Sequence, residues 1–475
     1  MSKLLARLAV LVFALSACDT TNPEDCKVTC ATDTDCPSGQ TCGDLGRCSS
    51  GVACPCTSDE FLACLDSSNG RYCSSDGTGT ETRACDFGCN SDAKRCNECE
   101  PSAASCASNG MTIQRCGADG TPLPDETCSL ACNGKDHCPY ISPKWAPDVC
   151  DQVAMAASLD VQADMTLDTS IDGNCTGGII AQSNGPEICV ARYGTITIGA
   201  KLAVTGSRAI AFVSDGALQI TGTLDVSANG STNGPGGGTL VAGSDAQEGI
   251  GGGGAGFRNA GAAGGDNTGG QGGGGAGGAI VDPLTRTALL GGTRSGTSVA
   301  TGGGGGAAML ISCRGGVTVA ASGVIDAGGG GGGGGRDVLQ GFVTRFYGGW
   351  GGGSGGYVVL QGTQVSILGS LYANGGGGGG GCDTDDCIGI RGEDGLPTLA
   401  SGSGGGTATG AGGAGGKGGV NILVPTYGSD STISPGGGGA SLGRFQVYAP
   451  SGITPMLAPV VSSPPMEPAL TITTR

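Results

Sequence analysis

Eight glycines stand in a row at residues 328–335 and seven more at 375–381, and no other feature of this chain narrows its folding options as much. A polyglycine run has no side chain to bury, so neither an amphipathic helix nor a packed strand can be stabilised through it. Two outcomes remain. The runs are flexible linkers, or several of them, including 251–254 and 302–306, lie side by side as extended three-fold helices whose backbone groups bond laterally because no Cβ intervenes. Collagen is excluded, because the 101 glycines lack a Gly-X-Y period and only 21 prolines accompany them.

Between the runs the texture is short, alternating and apolar. ALQITGTLDVSANG (217–230), GVTVAASGVIDAGG (316–329) and QVSILGSLYANGG (364–376) align as two strands broken by a small-residue corner. A third strand precedes each, at IAFVSDG (210–216), AMLISCRG (308–315) and YVVLQG (357–362), and VNILVP (420–425) reads as the start of a fourth example. Three short strands per repeat without hairpin loops predict an all-β fold, a parallel β-helix or solenoid over residues 147–450, with the polyglycine runs as excursions. Ile220, Leu224, Val319, Ile325, Ile367 and Leu371 are its expected inward ladder, and residues 451–475 read as a Pro-rich tail. A β-sandwich is the rival, but it needs hairpin connections. In composition the glycine runs resemble the tips of some phage adhesins and certain insect antifreeze proteins.

The N-terminus reads as an export signal. Lys3 and Arg7 precede an apolar run from Leu8 to Leu15, too short for the ~20 residues of a membrane-spanning helix, so residues 1–17 are expected to be a signal peptide. Leu15, Ser16, Ala17 and Cys18 resemble the lipobox of bacterial lipoproteins, which implies that the Cys18 thiol carries a diacylglyceryl anchor. Secretory cleavage near Ala17, with Cys18 pairing elsewhere, is the alternative. Setting Cys18 aside, 25 − 1 leaves 24 cysteines, an even number suited to disulfides in an oxidising compartment. Residues 18–25 are polar and read as a lipidated tether.

Eighteen of those cysteines fall into three sets of six, at 26–54, 56–96 and 99–138. The last two sets repeat one another: CSSDGTGTETRACDFGCN and CGADGTPLPDETCSLACN share Asp-Gly-Thr and a CxxxCN ending, so Asp76-Gly77 and Asp119-Gly120 mark equivalent turns. Modules this short cannot bury enough apolar surface to fold unaided, and three local disulfides in each are expected. The first, CKVTCATDTDCPSGQTCGDLGRC, resembles small extracellular modules grouped with the Dickkopf N-terminal domain. Cys96 and Cys99 form a CxxC, but a zinc site needs a second ligand pair, which the lone His137 does not supply. Of the remaining cysteines, Cys175 with Cys189 and Cys382 with Cys387 are expected to close small loops, and Cys150 and Cys313 either pair or leave a buried thiol.

Chemistry is sparse. One histidine in the whole chain removes Ser-His-Asp and Cys-His mechanisms, and 24 basic against 41 acidic side chains give a net charge of −17, which disfavours nucleic acid. No cofactor is expected. Asp383, Asp385 and Asp386 are candidates for calcium, with a solvated, disulfide-closed loop as the alternative. Asp225 and Asp326 occupy equivalent strand ends, either as corner caps of successive repeats or as the carboxylate pair of a polysaccharide lyase or glycosidase. The expectation is a non-enzymatic surface lipoprotein with a structural, adhesive or ligand-presenting role. Its partners are the membrane, through the lipid, and a surface glycan or protein, with the outer membrane or cell surface favoured over the inner membrane. In layout it resembles glycine-rich lipoproteins of Gram-negative bacteria with large genomes.

Overall fold

In a computed structural model of the chain the described residues are 25–475, apart from 29, 44, 52–53, 78, 152–154, 156, 268–273, 282–287, 341, 385–386, 400–403 and 458–460. Residues 1–17, expected to be a signal peptide, and Cys18 lie outside the described residues. The chain divides into two compact units, Met1–Glu126 and Thr127–Arg475. Among the described residues there is no α-helix, and no helix is long and apolar enough to cross a membrane.

In the first unit disulfides take the place of a hydrophobic core. Cys26–Cys54, Cys30–Cys42 and Cys36–Cys48 close the first module, and Cys56–Cys73, Cys64–Cys89 and Cys85–Cys96 close the second. Cys99 bonds Cys116 with the same sequence separation of 17 as Cys56 and Cys73, which makes the repeat visible in the covalent frame. The two Asp-Gly turns match as well, with Gly77 at φ 72° and Gly120 at φ 73°, a region that suits glycine. Around these bonds the strands are short and antiparallel, as in Phe61–Cys64, Asn69–Cys73 and Thr80–Ala84. Phe61 packs edge-on against Tyr72 with ring centroids 5.3 Å apart, and the Arg83 guanidinium covers the Tyr72 ring.

The second unit is built on large parallel sheets, in which the chain visits three ladders in a fixed cyclic order. The first ladder pairs Ile188–Tyr193, Ala209–Ser214, the first half of Ala307–Val319, the first half of Tyr357–Ile367 and Arg444–Pro450. The second pairs Leu159–Val161, Ile196–Ile198, Leu218–Ile220, the later halves of those two long strands and Met456–Leu457. The third pairs Met165–Asp168, Lys201–Thr205, Thr223–Asp225, Val324–Asp326, Ser370–Tyr372 and Val461–Ser463. Register stacks like on like. Ile198, Ile220, Val319 and Ile367 face one another along the second ladder, and Leu202, Leu224, Ile325 and Leu371 along the third, all fully buried in one aliphatic core.

Burial patterns separate the ladders. In the second and third only alternate side chains point inward, as the period of two requires. In the first, as along Ala209–Ser214, side chains on both faces are buried because both faces are covered, the usual state of a parallel sheet. Its outer cover is a second apolar cluster in which Ile141, Ala146, Val149 and Cys150 of an irregular strap, together with Phe257 and Leu289, pack on Val190, Ala211, Met309 and Val359. The Cys150–Cys313 disulfide bolts the strap to the ladder.

Two sequence expectations change here. VNILVP at 420–425 is not a strand: Val420 and Leu423 close a turn, and Ile422, Leu423 and Val424 are exposed. The first ladder resumes only at Arg444, because the glycine excursion runs on to that point and an apolar run does not mark where an excursion ends. Residues 451–475, set apart as a tail, supply Met456–Leu457, Val461–Ser463 and Leu470–Ile472 to all three ladders. Their prolines fall largely in corners, where no ladder hydrogen bond is lost.

The polyglycine runs are ordered as a bundle of three-fold helices. Along 375–381 the N–H groups of Gly376 and Gly379 donate to Gly353 and Trp350 at 2.9 and 2.8 Å, those of Gly377 and Gly380 to Glu393 and Ile390 at 2.9 Å each, and those of Gly378 and Gly381 to Gly416 and Gly413 at 2.8 and 2.7 Å. Their carbonyls accept from three further segments, through Ala440 and Gly437, Gly332 and Gly335, and Gly406 and Thr409. Partners change direction with each residue and return every third, the signature of a three-fold backbone helix with six neighbours. Only glycine fits: a Cβ on Gly379 would stand 1.8 Å from the Gly333 carbonyl oxygen, and one on Gly376 2.1 Å from that of Gly330. On a peripheral rod, Ala411, Ala414 and Lys417 are exposed while Gly413, Gly416 and Gly419 are buried, so one position in three faces out.

Candidate functional site

The third ladder places carboxylates side by side. Asp225 and Asp326 are direct register partners on adjacent parallel strands, and Tyr372 takes the next rung. The preceding strand carries Lys201, whose Nζ lies 2.8 Å from Asp225 Oδ2. Asp225 Oδ1 accepts hydrogen bonds from the Ser227 N–H and hydroxyl at 3.0 and 2.6 Å. Among the described residues Asp326 Oδ1 accepts only from the Gly328 N–H, at 3.0 Å.

These surroundings drive the two acids apart. Burial pushes the Asp225 carboxyl up, but the Lys201 ammonium and the Ser227 donors together outweigh it and hold the group below its usual value. Burial is also the main influence on Asp326, and there the single Gly328 donor does not offset it. With the negative charges of Asp225 and Asp394 adding to the effect, the Asp326 carboxyl is pushed up to about 7. A charged and a neutral carboxylic acid on neighbouring strands, about 5 Å apart, is an arrangement that can donate and accept protons near neutrality. It also has a purely architectural role. Asp168, Asp225 and Asp326 each accept from the N–H two residues on, so each turns the same corner of the third ladder.

Sequence reasoning brought Asp225 and Asp326 together and missed Lys201, whose partnership follows from the pairing of Ala203 with Asp225 and has no local signal. It also missed a buried ion pair, Arg192 with Asp215 at 2.5 Å, whose carboxylate receives the Met155 N–H as well. Both side chains of that pair are buried.

The other candidate residues are placed as follows. Cys382 bonds Cys387 and Cys175 bonds Cys189. Asp383 lies within the first of these loops with its carboxylate accepting the Ala411 N–H, and Asp385 and Asp386 lie outside the described residues. Cys96 and Cys99 are separately bonded, to Cys85 and Cys116. The sulfurs of Cys30, Cys36 and Cys42 cluster closely enough for a metal ion, but all three are in disulfides. Every cysteine from Cys26 to Cys387 is disulfide-bonded, which places the chain in an oxidising compartment. No family model, no curated protein and no solved structure matches this chain.

Proposed function

We propose that the protein is an exported lipoprotein, anchored through Cys18, whose second unit is a parallel β-helix carrying a polyglycine bundle. In this reading it acts without catalysis as an adhesive or ligand-presenting body at the cell surface. The observation that carries the reading is the pervasive covalent and backbone cross-linking: 24 bonded cysteines and a bundle with little room for side chains suit a rigid body exposed to the exterior. The lipobox-like LSAC and the apolar leader support the anchor. Radiolabelled palmitate fed to expressing cells is expected to label the chain, and Cys18→Ser to abolish the label; persistence of the label in the mutant refutes the anchor.

The split acidity of Asp225 and Asp326 favours a second reading, a glycan-cleaving β-helix enzyme. Incubating the purified protein with neutral and acidic polysaccharides decides it. The non-enzymatic reading expects neither new reducing ends nor unsaturated products, and products that disappear in Asp326→Ala overturn it.

A further inference from the structure

The strap over the first ladder holds one strained residue. Trp145 has φ 62°, a left-handed backbone that a bulky side chain adopts only when its neighbours impose it. They do. The Ile141 N–H donates to the Cys313 carbonyl at 3.0 Å, the Ser142 N–H to Thr473 at 2.9 Å and the Lys144 N–H to Gln361 Oε1 at 2.8 Å, with Cys150 bonded to Cys313 just beyond. The consequence is an indole held edge-on to Tyr357 and Tyr448, with centroids 5.9 and 6.3 Å away.

Beside that indole opens a cleft of about 330 Å³, lined by Trp145 and Tyr448, by Lys144 and Ser142, and by Thr471 and Thr473 of the C-terminal strand and its extension. Its size falls at the lower end of small-ligand sites. Among the described residues the hydroxyls of Thr471 and Thr473 hold no hydrogen bond and are free to bind, while Lys144 makes no ion pair and its ammonium lies over the Trp145 ring, 5.9 Å from the centroid. A flat aromatic face beside unengaged hydroxyls matches a pyranose ring, which has an apolar C–H face and a polar rim. The chain's net charge of −17 disfavours a polyanion, and one lysine does not reverse that balance.

We infer that this cleft binds one or two hexose units of a neutral glycan, with a ring against Trp145 and hydroxyls bonded to Thr471, Thr473 and Lys144. The inference rests on the adhesive reading above and supplies its ligand class. Strain at Trp145 then has a use, since it fixes the platform before the sugar arrives and spares the cost of ordering it on binding.

The test uses the full exported chain. Its two tryptophans are Trp145 and Trp350, and Trp350 is buried, so a change in indole emission reports mainly on the cleft. Maltohexaose, cellohexaose and mannohexaose are titrated, with hexagalacturonate as the acidic arm, and calorimetry checks each titration. At least one neutral hexaose is expected to saturate the signal. Trp145→Ala is expected to weaken binding at least tenfold, and Thr473→Val, at an exposed position that leaves packing intact, about threefold. Should Trp145→Ala fail to fold, Thr473→Val and Lys144→Ala decide the matter by calorimetry. No saturation by any neutral hexaose, saturation by hexagalacturonate alone, or undiminished affinity in both of those variants overturns the inference. The two readings fail separately. Cells carrying Trp145→Ala that attach to a glycan-coated surface as well as the parent refute the cleft and keep the adhesin, whereas a purified chain that binds hexaose, with parent cells that attach to no glycan-coated surface, refutes the adhesin and keeps the cleft.

Discussion

The ladders and the polyglycine bundle of the second unit solve one problem by opposite means. In the ladders, Leu202, Leu224, Ile325 and Leu371 stack their side chains and the backbone bonds only within the sheet. In the bundle the side chains are gone, and the backbone bonds in every lateral direction, as Gly376 through Gly381 do toward six neighbours. Apolar burial stabilises the first. Hydrogen bonds and close backbone contact stabilise the second, against the largest conformational entropy loss any residue type brings. The difference teaches that tolerance to substitution need not follow apolarity: the part of this molecule with the least side-chain chemistry is the part with the least room for change.

The sharpest way to break that contrast is to add atoms to the bundle. Gly379→Val places new carbon against the Gly333 backbone, which cannot swing aside as a side chain can, so the loss is expected to exceed the ~1–3 kcal/mol usual for overpacking and to abolish cooperative unfolding of the second unit. Chemical denaturation followed by circular dichroism is the readout, and a variant as stable as the parent would show that the bundle is loosely packed. Removing atoms from the ladders is expected to hurt less. Leu224→Ala costs about 2–5 kcal/mol by the same measurement, while the transition stays cooperative.

A pH-dependent effect comes from Asp326, at the junction of the two regions. Its carboxyl stays protonated in the folded chain up to about pH 7, whereas in the unfolded chain it ionises near pH 4. Between those values only the unfolded state has released the proton, so stability falls as pH rises from about 4 to about 7 and is level above. Asp326→Asn is expected to leave stability unchanged at pH 4 and to raise it by roughly 4 kcal/mol at pH 8. Melting curves at the two pH values check the sign, and a variant less stable at pH 8 would show that the charged form is the one the fold favours. The least effect is expected at the outward position of a peripheral rod, where Lys417→Ala stays within ~0.5 kcal/mol of the parent.

How much of this was legible follows from what each element encodes locally. Inward residues such as Ile220 and Ile325 could be read because a period of two is written in adjacent positions. The Asp-Gly turns could be read because positive φ has a residue preference. Polyglycine stated its own requirement, that nothing project from it, but not which runs would be neighbours, since a row of glycines carries no address. The strap was not legible: YISPKWAPDVC has no period, and its role depends on Cys313 and Thr473 arriving from far along the chain. Likewise the fourth return to the first ladder was misplaced at 420–425, because an exposed turn of Ile422, Leu423 and Val424 is as apolar as a strand. Of the candidate site, the carboxylates were visible as repeat equivalents, while Lys201 and the split in acidity arise from register and burial.

The outward row Ala411, Ala414 and Lys417 carries a consequence for how such a protein can vary over time. Each residue of a three-fold helix turns the chain by about a third of a revolution and advances it ~3.1 Å, so the rod has a frame in the sense that a coding message does. Substitutions at the outward positions rewrite the surface freely. Losing or gaining one or two residues rotates everything downstream and swings an alanine or lysine into space sized for a hydrogen atom, whereas a change of three slides the pattern along ~9.3 Å and leaves it legible. Length variants of this bundle should therefore come in multiples of three.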